Sequence, residues 1–88
     1  MQEILLTVTH PAGLHARPAA LLVKAASGFK AEVTILKAGK PFNAKSILAV
    51  MSAGVRQGET IAVQAAGADE EEALAAVAAL IQSGFGEG

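Results

Sequence analysis

The pattern of periodicities along these 88 residues predicts an α+β fold, with four half-buried strands and three helices in the order βαββαβα. One-sided strands of this kind make a four-stranded antiparallel sheet with its helices gathered on one face. Three observations carry the prediction. Four short segments alternate apolar and polar residues with a period of two. Two others repeat apolar residues every three or four positions, so that one side of a helix is greasy, and a third, shorter one is bracketed by Ser46 and Gly54. Glycine, proline, serine or aspartate stands at most of the joints between them.

In the first strand Ile4, Leu6 and Val8 alternate with Leu5, Thr7 and Thr9, so the first set faces the core. His10-Pro11-Ala12-Gly13 then breaks the strand and delivers His15 to the surface. The spacing predicts a first helix from Ala16 to Ser27, stopped by Gly28. Pro18 lies in its first turn, where a missing N–H loses no hydrogen bond. Ala19, Leu22, Val23 and Ala26 share the packed face. Arg17, Ala20, Leu21 and Lys24 share the opposite one. A small apolar patch rimmed by positive charge suits docking of an acidic partner, with Ser27 and Lys45 as rim positions. The plainer alternative is that Leu21 merely covers a neighbouring loop.

Glu32 to Leu36 forms the second strand, with Val33 and Ile35 inward. Residues 37–40 turn the chain into a short third strand, Pro41 to Ala44, which proline marks as an edge or as a strand start. Ser46 caps a helix of about two turns that Gly54 closes. Its apolar residues point in too many directions for one core, so Val50 is expected inside and Ile47, Leu48 and Met51 partly outside. Exposed Met and Leu suit a surface that accepts several partners. The fourth strand runs from Thr60 to Ala65, with Ile61, Val63 and Ala65 inward. Asp69 and Glu72 have capping-box spacing at the start of a third helix that reaches Ser83 and buries Leu74, Val77, Ala78 and Ile81. Residues 84–88 read as a frayed tail, and residues 1–88 as a single domain.

Composition narrows the function. The chain is 52% apolar and 17% charged, which excludes disorder. With no cysteine there is no disulfide or thiolate site, as suits a reducing compartment, and no apolar run is long enough to span a bilayer. A soluble, cytoplasmic protein with no direct membrane insertion is expected. A net charge of −1 and three aromatic residues argue against nucleic-acid binding.

His15 stands at the mouth of the first helix, where unpaired N–H groups and the helix dipole favour an anion, with Arg17 close by in sequence. Two readings compete. Either the histidine satisfies a backbone donor there, or its neutral imidazole attacks phosphorus and carries the phosphoryl group as a reactive phosphoramidate. No glycine-rich nucleotide loop is present, since Gly39-Lys40 lacks both the upstream glycine and the following hydroxyl. Phosphate must therefore come from another protein and leave to another, which makes the chain a stoichiometric carrier and not an enzyme, with no cofactor. His10 and His15 lack the spacing of a helical metal site, so no metal is expected. Ser46 needs no function beyond its cap, although a phosphate there would sit favourably on the helix dipole.

Two separated segments, Gly13-Leu14-His15-Ala16-Arg17-Pro18-Ala19 and Lys45-Ser46-Ile47-Leu48-Ala49-Val50-Met51-Ser52-Ala53-Gly54-Val55, followed by an acidic, alanine-rich helix, resemble the HPr family. These are the histidine-containing phosphocarriers of the bacterial phosphoenolpyruvate-dependent sugar phosphotransferase system. The resemblance runs from the first strand to about Ser83 and implies an open-faced β-sandwich, with the loop before the first helix near the start of the second. It implies that His15 is phosphorylated by enzyme I and donates to the A domain of an enzyme II, with Arg17 assisting. Ala16, Ala20, Lys24, Ser27, Ile47, Leu48 and Met51 would then form the partner surface of a monomer. The Ser46 segment is similar to the low-GC Gram-positive type, in which a dedicated HPr kinase/phosphorylase modifies the serine, slows histidine phosphorylation and promotes binding to a catabolite control regulator. The alternative is a regulatory binding module acting through Ser46 and the apolar patch, but relatives confined to regulation lack the histidine. A nitrogen-related phosphocarrier is disfavoured by the intact Lys45-Ser46-Ile47.

Overall fold

The computed structural model describes residues 1–86. Its elements are β1 (Gln2–Thr7), α1 (Ala16–Ser27), β2 (Glu32–Lys37), β3 (Lys40–Asn43), α2 (Ile47–Ser52), β4 (Thr60–Ala66) and α3 (Glu70–Gln82), followed by a turn of 3-10 helix, Gly84–Gly86. The strands form one open antiparallel sheet in the order β1-β4-β2-β3. The predicted α+β architecture is the one observed, and Pro41 lies on an edge strand as its lack of an N–H requires.

Alternation along the strands decides which face is covered. Leu6, Val33, Ile35, Ile61, Val63 and Ala65 are buried beneath the helices. The other face meets water, and Leu5 is 68% exposed there. Small residues suit close packing of the layers: α1 and α3 are in contact, and Ala19, Ala26 and Ala73 on them are fully buried. Val23, expected among the packed residues of α1, is only half-buried at the margin of that face. Gly67 lies against Ala31, where an added Cβ would come within 2.8 Å of the Ala31 Cα.

Two expectations are corrected. Gly84 to Gly86 are not frayed: Phe85 is 3% exposed, joins the core, and meets the His10 ring edge-on at 5.9 Å. Burying its aromatic area offsets the strain of a left-handed backbone at φ +61°. Residues 87 and 88 of the expected tail lie outside the described residues. The Asp69–Glu72 capping box does not form either. Asp69 accepts instead from the backbone N–H groups of Lys30 and Ala31, both at 2.8 Å, and ties the start of α3 to the chain entering β2. Glu70 bonds back to the turn before the helix, accepting from Gly67 N at 3.1 Å, and pairs with the N-terminal amine at 3.0 Å.

Candidate functional site

His15 occupies the N-cap position of α1 with extended backbone angles, and its carbonyl accepts from Ala19 N at 2.8 Å. Its side chain is exposed and makes no capping hydrogen bond. The reading of His15 as a residue that satisfies a backbone donor is therefore not realised. An exposed imidazole beside an uncapped helix start can meet an incoming anion, and the start of α1 has no acidic residue to repel one.

The loop that carries His15 is held by backbone bonds to the segment between α2 and β4. Val8 N donates to Glu59 O at 3.0 Å, Gly58 N to Val8 O at 2.7 Å, and Leu14 N to Val55 O at 3.0 Å. Gln57 adds a side-chain bond to Thr9 O at 3.1 Å. Gly13 is the closest point of approach. Its φ is +63°, and a Cβ there would stand 2.3 Å from the Val55 carbonyl oxygen. Leu14, 2% exposed, anchors the loop in the core immediately before His15. Within the loop the His10 ring accepts from Ala12 N at 3.0 Å through Nδ1. Sequence reasoning saw Gly13 only as a turn residue and missed the support from residues 55–59. Gln57-Gly58 was visible as a turn, but its contact across 48 positions with Thr9 has no local signature.

Helix α2 is capped as predicted, with Ser46 Oγ accepting from Ala49 N at 3.2 Å. Asn43 Oδ1 steadies the approach by accepting from Lys45 N. Lys45, expected at the rim of the docking patch, is half-buried and sends Nζ 2.7 Å to the Phe29 carbonyl just past α1. That bond helps join the two helices' surroundings, and α1 and α2 are themselves in contact. Ala16, Arg17, Ala20, Lys24 and Ser27 of α1 are all exposed. On α2, Leu48 is 75% and Ile47 44% exposed, Met51 is half-buried, and Val50 is fully inside. Leu21 is half-buried and packs on the core.

Three carboxyls are held below their ordinary range: Asp69 by the N–H of Lys30 and then that of Ala31, Glu59 by that of Arg56 and by Lys37, and Glu70 by that of Gly67. Each serves the scaffold; none is on α1 or α2. Among the described residues no cluster of three or more histidine, cysteine or acidic side chains could hold a metal ion. No helix among them is long and apolar enough to cross a membrane.

Comparison with known proteins agrees with this fold. Residues 2–83 match the family model described as the PTS HPr component phosphorylation site. An HPr crystal structure from Thermoanaerobacter tengcongensis superposes with a TM-score of 0.97 at 48% identity, covering 100% of this chain and 99% of that one. The phosphocarrier protein HPr of Bacillus anthracis gives 0.88 at 44% identity, covering 92% and 96%. Crh, the catabolite repression protein of Bacillus subtilis, seen as an intertwined dimer with a swapped domain, gives 0.77 at 44% identity, covering 90% and 91%. With a family model spanning nearly its whole length and identities well above those that show a fold alone, the chain belongs to the HPr family, the phosphocarriers of the phosphotransferase system.

Proposed function

We propose that this phosphocarrier takes its phosphoryl group on His15 from phosphorylated enzyme I and passes it to the A domain of a sugar-specific enzyme II. The observation that carries the reading is the exposed His15 imidazole at the side-chain-uncapped start of α1, within a chain of the HPr family. The lone pair of a neutral ring nitrogen attacks phosphorus, a P–N bond forms, and the bond to the donor breaks. Arg17 and the helix start stabilise the dianion that arrives. The P–N bond remains reactive, so the group moves on to the next protein. The carrier returns to its first state only after two encounters and is a stoichiometric intermediate. The exposed side chains of Ala16, Ala20, Lys24, Ser27, Ile47 and Leu48, with the half-buried Met51, form the surface that both partners use. A patch of small and flexible apolar groups with a basic margin can accept different acidic proteins. The chain acts as a monomer in the cytoplasm.

Ser46 is a second, regulatory phosphorylation site in this reading. Its hydroxyl is half-buried and caps α2, so a phosphate there gains from the helix dipole and adds negative charge beside the docking surface. An HPr kinase/phosphorylase would add the group, and a catabolite control regulator would read it.

The test is intact mass after incubation with enzyme I, magnesium and phosphoenolpyruvate, for the wild type and His15→Ala. One acid-labile phosphoryl group on the wild type and none on the variant is expected. A well-folded wild type that gains nothing from an enzyme I active on another carrier would refute the reading and leave the regulatory module acting through Ser46.

A further inference from the structure

We propose that Glu59 is a positioning residue for His15, its carboxylate fastening the segment on which the His15 loop rests. This rests on the reading of His15 as the phosphoryl acceptor. The loop before His15 does not support itself. Val8, Thr9 and Leu14 all bond to residues 55–59, and Gly13 presses on the Val55 carbonyl. That support is itself a connection between α2 and β4, neither helix nor strand, and it needs ties of its own to act as a fixed platform.

Glu59 supplies them. Its Oε1 accepts from Arg56 N at 2.7 Å, next to the Val55 carbonyl that receives Leu14 N. The same oxygen is 3.5 Å from Lys37 Nζ, and Lys37 donates to the Gly54 carbonyl at 2.8 Å. One carboxylate thus holds the platform on both sides of Val55, directly at residue 56 and through Lys37 at residue 54. Lys37 is the last residue of β2, so the tie ends on the sheet. Removing the carboxylate frees Arg56 N and takes away the counter-charge that Lys37 meets at 3.5 Å. Val55 then moves, and Leu14 and His15 move with it. Glu59 is on neither α1 nor α2, so its loss leaves the partner surface intact.

The experiment follows enzyme I-dependent phosphorylation at increasing carrier concentration, together with amide exchange at Leu14. Glu59→Ala is expected to keep KM within about twofold while the maximal rate falls by about tenfold, because misplacing a reacting group costs rate more than encounter. Leu14 exchange accelerates in parallel. Glu59→Gln retains an oxygen for Arg56 N and recovers most of the rate, whereas Glu70→Ala removes a carboxylate tie at the start of α3 and leaves rate and Leu14 exchange unchanged. Lys37→Met, which keeps the stem and loses the charge, gives a smaller loss of rate than Glu59→Ala and serves if that variant does not fold. Unchanged rate and unchanged Leu14 exchange in Glu59→Ala overturn the proposal, as does an equal loss of rate in Glu70→Ala. If the wild type takes no phosphoryl group, the acceptor reading fails, and Leu14 exchange alone decides whether Glu59 fixes the loop.

Discussion

Helices α1 and α2 touch, yet they begin in opposite ways. Ser46 turns its hydroxyl back onto Ala49 N and satisfies a donor at the start of α2 from within the same turn. His15 holds the same position in α1 and offers no side-chain bond, while Pro18 removes one donor from the first turn altogether. One start is finished by its own sequence; the other is left to be completed by whatever arrives. What holds the α1 start in place is a remote loop, whereas the α2 start is local. Helix α3 lies between these extremes: Asp69 is spent on the chain before β2, and Glu70 bonds back to Gly67. A helix start that needs only stability can be built from a single serine. One that must receive a ligand has to be positioned from elsewhere.

The largest break in this contrast should come from Gly13→Val. The new side chain meets the Val55 carbonyl and a backbone at φ +63°, so destabilisation of at least about 1–3 kcal/mol is expected, with transfer to His15 reduced more than tenfold. Urea unfolding and the rate of phosphorylation read the two effects, and a variant with normal rate would mean that Gly13 does not set the position of His15. Next, Ser46→Ala should cost about 1 kcal/mol through loss of the cap while leaving that rate nearly unchanged. A fall in rate matching that of the Gly13 variant would merge two regions distinguished here.

His15→Ser sharpens the comparison from the other side. Supplying α1 with the cap that α2 already has should stabilise the protein by about 0.5–1 kcal/mol and abolish acid-labile phosphorylation. Thermal unfolding no higher than that of the wild type would show that the α1 start is satisfied in some other way. The smallest effect is read in acid. The N–H groups of Lys30 and Ala31 lower the Asp69 carboxyl below its ordinary 3.8, so its stabilising contribution is complete above that value. It is lost as pH falls through the lower folded-state value. Asp69→Asn should therefore be less stable than the wild type at neutral pH, with the difference narrowing below about pH 4. A gap of constant size across that range would contradict the ionised tie.

Local patterns were legible where one residue's chemistry completes one structure. The limits of α1 followed from its periodicity and from Gly28, although Gly28 keeps a right-handed backbone and does not use the freedom of glycine. The Ser46 cap and the burial of Val50 likewise followed from a few consecutive residues. His15 and Arg17 stood out because an imidazole and a guanidinium sit where a helix starts. Reasoning failed where a polar side chain had a choice of partners. Asp69 had the spacing of a capping box, but two N–H groups from residues nearly forty positions away offered it a better bond. Lys45 looked like a surface cation until the end of α1 presented it with the Phe29 carbonyl. Phe85 followed a glycine and resembled a tail, yet the core had room for its ring.

By itself the sequence determined the βαββαβα order, the faces of its strands, the α2 cap and the residue types at the head of α1, because each depends on spacing within one element. Tertiary structure alone decided that Val55, Gln57, Gly58 and Glu59 would lie beneath the His15 loop. Those contacts join segments more than forty residues apart, and a backbone carbonyl or amide carries no mark in sequence of the partner it will meet.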